Sequence, residues 1–320
     1  MRWRYIQMGL YYLSYLVFPV MMFLIWACRK WPLAWYFWVF LVFTVFFVYA
    51  RFLEPQQIKV VKKRFSFIKM ILRQGDCSGD VQYESFDAKI KVAVISDLHL
   101  GVYKGKNYLA RVVEQINLVS PDLVLIPGDL IYDPSWEELR GGVFADLQRL
   151  KAPVIAVTGN HDAKIPGYVE AEEVRKSLRK YGVKVIDNQQ VDFEVKGGHS
   201  SKFLKIYGLS DLMEGQYDLK VLKNFNSADN NLILAHNPDA AYTIPDGDQE
   251  ALIVSGHTHG GQIRIPLIYK WVIPCKHDFD RGWYDVGRLK VLVTSGLGEV
   301  GLPLRLGVPP EIVMLELDLK

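Results

Sequence analysis

Apolar positions along this chain fall into two regimes. Residues 5–28 and 31–50 contain no charge, whereas from about residue 55 onward short apolar runs alternate with polar stretches. A helix needs about 20 apolar residues to cross a hydrocarbon core of roughly 30 Å. Both early runs reach that length, and Arg29-Lys30-Trp31-Pro32 supplies a turn between them. The pattern predicts a transmembrane helical hairpin over residues 1–54. Trp31, Trp35, Tyr36 and Trp38 gather near its turn, as interfacial aromatics do. A cleavable signal peptide has a shorter apolar core and a small-residue cleavage site, and no such site is evident. A single signal anchor is the other alternative.

Beyond the hairpin, residues 55–90 read as a basic juxtamembrane segment followed by a polar, glycine-containing loop. Its basic stretch suits either contact with anionic lipid or a strand with one solvated face. Buried strands are expected at residues 91–96, 123–127, 154–158, 231–235, 251–255 and 290–295. Between the early ones, Leu109, Val112, Val113, Ile116 and Val119 mark one helical face. Weaker stripes run through Phe144, Leu147 and Leu150, and through Val174, Leu178 and Tyr181. Strand–helix–strand alternation implies right-handed βαβ units and a mixed α/β sandwich over residues 91–320. Turns are expected at Gly197-Gly198 and Pro245-Asp246-Gly247.

Charge changes this picture mainly by giving it an orientation. Arg2, Arg4, Arg51, Lys59, Lys62, Lys63, Arg64, Lys69 and Arg73 flank the hairpin and outnumber Arg29 and Lys30 in its turn. The bias puts both ends and the large domain on the cytoplasmic side of the membrane. A net charge of +3 is too small to point to nucleic acid. Cys28, Cys77 and Cys275 match no zinc or redox spacing and read as free thiols.

The candidate chemistry sits where strands end. The first ends in Asp97-Leu98-His99, the second in Gly128-Asp129 and the third in Gly159-Asn160-His161-Asp162. Later strands end in His236-Asn237 and Gly256-His257-Thr258-His259-Gly260-Gly261. Ligand sites of open α/β sheets lie beyond the carboxyl ends of strands, so these residues should converge. Carboxylate, imidazole and amide oxygen donors suit manganese, iron, zinc or magnesium rather than a thiolate-seeking metal.

This series resembles the calcineurin-like metallophosphoesterase superfamily, over about residues 91–317. The resemblance implies a four-layer αββα sandwich with a dinuclear metal centre. It places Asp97, His99 and His259 on one divalent ion and Asn160, His236 and His257 on the other, with Asp129 bridging. It makes manganese the first expectation for both ions. It also makes His161 a non-ligand proton donor, with Asp162 orienting it. Asp133 lies one position beyond a second acid found in many relatives. His236-Asn237-Pro238-Asp239, Gly260-Gly261-Gln262, Ser295-Gly296-Leu297-Gly298, Leu304-Arg305-Leu306 and Pro309-Pro310-Glu311-Ile312 are similar to a bacterial membrane-attached branch.

Two metals acidify a water for attack on phosphorus, which makes phosphoester hydrolysis the expected reaction. The hairpin brings the site to a bilayer, so the expected substrate is a lipid-linked or nucleotide phosphoester. The resemblance includes enzymes of lipid A biosynthesis that cleave UDP-2,3-diacylglucosamine to UMP and a lipid monophosphate, and this is the sharpest expectation. A phosphodiesterase or phosphatase for another lipid, nucleotide or cell-envelope phosphate is the alternative. A metal-free scaffold is the contrasting class, set against a complete ligand series. Tyr103, Trp136, Trp271, Trp283, Tyr284 and Arg305 are candidates to line a substrate groove.

Overall fold

The computed structural model describes residues 2–67, 88–132, 138–139, 141–163, 171–196, 201–213, 217–245 and 250–320. Cys77, Asp133, Trp136 and the turn residues 197–198 and 246–247 lie outside them.

Two long apolar helical stretches open the chain, Arg4–Lys30 and Trp35–Gln56. The first comprises α1 (Arg2–Leu13), a 3₁₀ turn at Ser14–Leu16 and α2 (Val17–Lys30). Pro19 explains the interruption: it has no N–H to reach the carbonyl four residues back, and the chain tightens just before it. The second stretch is α3 (Trp35–Val48), prolonged by a wider turn over Tyr49–Leu53 and a 3₁₀ turn at Glu54–Gln56. Little of either is buried, so most of their apolar side chains face outward.

The first helix is not apolar on every face. Arg4, Gln7, Tyr11 and Ser14 follow helical spacing and meet polar or aromatic groups. Arg4 pairs with Glu138 at 3.0 Å, and Gln7 donates to the Tyr132 hydroxyl. Tyr11 stacks on Tyr103, and Ser14 accepts from Arg51 Nε at 3.0 Å. At the end of the second stretch the buried Glu54 accepts from the Val308 N–H, and Arg305 N–H donates to the Ala50 carbonyl. The hairpin is therefore fixed against the α/β domain by hydrogen bonds at both of its domain-facing ends.

The remainder is built on two six-stranded sheets. The first runs β1 (Lys59–Ser66), β14 (Glu311–Leu319), β2 (Ala88–Val94), β4 (Leu123–Pro127), β6 (Val154–Val157) and β7 (Val183–Val185) in spatial order. The second runs β12 (Gly282–Val286), β13 (Leu289–Val293), β11 (Ala251–Ser255), β10 (Asn230–Ala235), β9 (Ser201–Leu209) and β8 (Gln190–Lys196). Pairing is parallel except where β14 meets β2, β12 meets β13 and β8 meets β9. A short pair, β3 (Leu100–Gly101) and β5 (Ile131–Tyr132), lies beside them.

Ile90, Val92, Leu125, Leu232, Leu234 and Leu252 fill the space between the sheets. On the outer face of the first sheet, α4 (Lys106–Val119) buries Leu109, Val112, Val113 and Ile116, the positions its sequence periodicity marks. The outer face of the second sheet is covered by 3₁₀ turns at Leu219–Asn224 and Pro238–Tyr242. The αββα sandwich thus has a thin fourth layer. Leu147 belongs to a 3₁₀ turn at Ala145–Arg149, which Phe144 precedes, and not to a full helix.

Of the two readings of the basic stretch, the strand is the one the structure shows for residues 59–66, while residues 68–87 lie outside the described residues. Residues 59–66 are β1, an edge strand paired in parallel with β14 from Lys59 opposite Glu311 to Ser66 opposite Asp318. Lys59, Lys62 and Arg64 are exposed, and Arg64 and Ser66 bond Asp318. The run Val60-Val61-Lys62-Lys63-Arg64 has no period-two alternation to mark a strand, and the strand's partner lies some 250 residues away.

Candidate metal centre

Asp97 and His99 follow β2, Asp129 follows β4, and Asn160 and His161 follow β6. His236 follows β10, and His257 and His259 follow β11. All are carboxyl ends of parallel strands, and the two sheets deliver them to a common edge. Among the described residues, nine non-glycine residues have positive φ, and five of them are Asp97, His99, Asp129, His257 and His259. The left-handed conformation costs about 1–2 kcal/mol per L-residue, so its concentration here marks a site held by its surroundings.

Those strained backbones aim the donor atoms inward. His99 Nε2 lies 3.1 Å from His259 Nε2, and His259 Nε2 lies 3.6 Å from Asp97 Oδ1. His236 Nε2 lies 3.0 Å from His257 Nδ1 and 3.1 Å from Asn160 Oδ1. Asp129 Oδ2 serves both groups, 3.5 Å from His99 Nε2 and 3.2 Å from His236 Nε2. Its other oxygen accepts the His161 N–H at 2.9 Å. Donors about 2.1 Å from one ion stand roughly 3.0–3.5 Å from each other, and the observed spacings fall close to that range.

A surrounding shell sets the ring orientations. His236 Nδ1 faces the Pro127 carbonyl at 2.9 Å and His257 Nε2 the Pro274 carbonyl at 3.1 Å. Each carbonyl takes the ring N–H, which leaves the opposite nitrogen as a lone-pair donor toward the centre. The His257 N–H donates to Asp97. Gly159 and Gly256 are required by close approach. A Cβ at Gly159 would stand 2.2 Å from Asp129 Oδ1, and one at Gly256 would stand 2.3 Å from Asp97 Oδ2.

Electrostatics agree with this donor set. Burial holds His99 and His259 well below the ordinary imidazole range and His257 at about 4, so all three are neutral donors. Burial, with Asp129 nearby, pushes the Asp97 carboxyl up to about 6. Burial opposes charge on His236 and Asp129 as well, but their mutual attraction wins, raising His236 to about 10 and holding Asp129 low. The cluster thus draws a positive charge to the point where its donors meet. Facing lone pairs at 3.0–3.1 Å and this demand for a cation fit two divalent ions.

His161 lies at the rim. Its ring packs edge-on to His99 and Tyr132, and a ring nitrogen stands within 4.8 Å of donors on His99 and Asp129. Asp162 does not orient it. The buried Asp162 carboxylate accepts from the N–H groups of Leu130, Ile131 and Gly159, tying the β4 loop to the β6 loop. Burial, then the charge of Asp129, pushes it up to about 7.

A pocket of about 440 Å³ opens over the donors. Its walls include Met213, Gln262, Ile263, Val272, Pro274 and Leu302. Of these, the sequence singled out only Gln262, in the Gly260-Gly261-Gln262 motif, although Ile263 and Val272 belong to a visibly apolar loop. The aromatic candidates fare differently. Arg305 is fully buried and donates to the carbonyls of Ser295, Gly298 and Val308, so it braces the loop and does not line a groove. Trp283 stacks on Phe65, and Tyr284 bonds Asp280. Tyr103 donates to the Gly301 carbonyl, and Trp271 stands exposed beside the pocket residue Val272. Cys28 and Cys275 are free thiols.

Comparison with known proteins matches residues 90–261, more than half of the chain, to the calcineurin-like phosphoesterase family model. An uncharacterized metallophosphoesterase of Campylobacter jejuni is 34% identical over 75% of this chain and 62% of its own length. This chain therefore matches less than two thirds of that relative. The Bacillus subtilis metallophosphoesterase YkuE is 33% identical over 84% of this chain and 88% of its own. The Escherichia coli phosphodiesterase YaeI is 28% identical over 85% and 92%.

Proposed function

The chain belongs to the calcineurin-like phosphoesterase family, and on that premise we propose that this phosphoester hydrolase works at a membrane on a lipid-linked phosphodiester or pyrophosphate. UDP-2,3-diacylglucosamine is the first substrate to test. The observation that carries the reading is the docking of two apolar helices against the rim of the donor cluster, where Gln7 bonds the Tyr132 that packs on His99 and His161. The basic residues flanking the hairpin support a cytoplasmic domain. The E. coli relative's designation as a phosphodiesterase supports an ester with two substituents.

In this reading Asp97, His99, Asp129 and His259 hold one divalent ion, and Asp129, Asn160, His236 and His257 hold the other. Manganese is the first choice, with iron, zinc and magnesium as alternatives. The bound pair supplies Lewis acidity, which acidifies water and offsets charge on the phosphoryl oxygens. Asp129 would be shared by the two ions, because its Oδ1 accepts the His161 N–H and its Oδ2 stands between His99 Nε2 and His236 Nε2. His161 gives a ring proton to the departing oxygen. The apolar wall, Ile263, Val272 and Leu302, excludes water from the side of the leaving group.

The test is hydrolysis by detergent-solubilised full-length protein, with Asp129→Ala as control. Release of UMP from UDP-2,3-diacylglucosamine, lost by at least a thousandfold in the variant together with bound metal, is expected. Cleavage of bis-p-nitrophenyl phosphate but of no lipid ester would overturn the lipid reading and leave the hydrolase intact.

A further inference from the structure

We propose that the groove between the hairpin and the loop at residues 302–306 holds one ester-linked acyl chain of the substrate, which enters sideways from the bilayer. This rests on the reading that the substrate is a lipid. Two neighbouring hollows, of about 390 and 470 Å³, share Val17, Phe47 and Leu304. The first shares Leu302 with the pocket over the metal donors, and the second shares Ile263 with it. One apolar track therefore runs from the outer faces of α2 and α3 to the catalytic cluster.

The polar atoms along the track define its occupant. Thr44 donates to the Phe40 carbonyl and Ser14 to the Tyr11 carbonyl, so both hydroxyls are satisfied within their helices. Arg51 is different. It lines the track, is only 6% exposed, and lies against the rings of Tyr11 and Phe52. Its Nε is bonded to Ser14, but its Nη2 is buried with no partner. An unpaired buried guanidinium N–H in an apolar groove costs free energy until an acceptor arrives. An acyl chain with its ester carbonyl supplies apolar bulk and one acceptor together.

The loops around the pocket over the donors carry apolar side chains outward. After residue 54, ten large apolar side chains are exposed among the described residues. Seven of them are Met213, Ile265, Leu267, Ile268, Trp271, Val272 and Leu302, on the loops around the pocket. Leu267 is 89% and Trp271 82% exposed. Apolar side chains gathered this way mark an interaction surface, and here they share a side with two bilayer-length helices.

The experiment uses full-length, metal-loaded protein in phosphatidylcholine vesicles containing phosphatidylglycerol with a diazirine in one acyl chain. Light should attach the lipid to Val17, Phe47, Leu302 or Leu304. Arg51→Met and Leu304→Trp should each reduce that attachment at least tenfold, with metal content and thermal midpoint reporting the fold. Wild type should cleave long-chain lipid esters in preference to short-chain ones, and Leu304→Trp should erase that preference. Lipid-ester cleavage with attachment confined to outward residues such as Phe23 and Val42, or with no chain-length preference, would overturn the groove and leave the lipid reading standing. No cleavage of any lipid ester, while a soluble ester is still cleaved, would remove the lipid reading and the groove with it.

Discussion

At the scale of single residues, adjacent side chains of one motif do separate jobs. In Asn160-His161-Asp162, the first faces the donor cluster, the second sits on its rim, and the third is buried as a brace. On the role proposed above, replacing His161 by Ala removes the proton donor and none of the seven proposed metal ligands. We expect turnover to fall by about 10²–10⁴ with metal content unchanged, as elemental analysis beside kinetics will show. Replacing Asp162 by Asn puts an amide N–H₂ among three backbone donors. The variant should lose about 1–3 kcal/mol of stability, seen as a lower denaturation midpoint, with the larger change in the fold and not in proton transfer. The sequence names all three residues but not this division, because side-chain direction depends on the local backbone, and five neighbouring donors take left-handed turns that spacing does not reveal.

At the scale of elements, β1 shows where sequence reading stops short. Its β-branched and basic residues allow a strand with a solvated face, but its place in the sheet depends on β14 at the other end of the chain. Asp318 on β14 ties the two strands, with Arg64 Nε at 2.8 Å, Ser66 Oγ at 2.7 Å and Lys89 Nζ at 3.7 Å. Burial opposes its charge, but the Arg64 bond and its neighbours prevail and hold the carboxyl below its ordinary value. A depressed carboxylate contributes stability above its unfolded pKa of about 3.9 and loses it as pH falls through the folded value. Asp318→Asn should therefore be less stable than wild type at neutral pH, and the gap should close in acid. Denaturant melts at several pH values measure this directly. The strands around the metal donors were easier to read, since each is a short, continuous apolar run ending in polar residues.

At the scale of the whole molecule, the metal centre joins the two sheets. Donors come from β2, β4 and β6 of one and β10 and β11 of the other, so bound ions act as a clasp between layers. Ions present at a hundred times their dissociation constant add about 2.7 kcal/mol per site. Chelation should lower the thermal midpoint by roughly 5–10 °C, and manganese should restore it, as scanning calorimetry will show. The hairpin is the second joint. Glu54, Gln7 and Arg4 fix it to the domain, and Arg51 joins its two helices through Ser14, so the apolar helices and the catalytic edge are held as neighbours.

The sequence by itself determined the class of chemistry, the run of strands that carries it and the presence of two bilayer-length helices. These are local properties: donor type, apolar run length and turn residues are read within a few positions. Tertiary structure decided what depends on distant partners. It showed Arg305 as a buried brace, Asp162 as a tie between loops and residues 59–66 as a sheet edge. It also placed a polar stripe of the first helix against the domain and left the Nη2 of Arg51 without a partner in an apolar track. The helix stripe, Arg51 and the sheet edge turn on which groups meet after the chain closes loops of some 40 to 250 residues, and Arg305 and Asp162 turn on the conformation of the loops around them, and no local pattern encodes either.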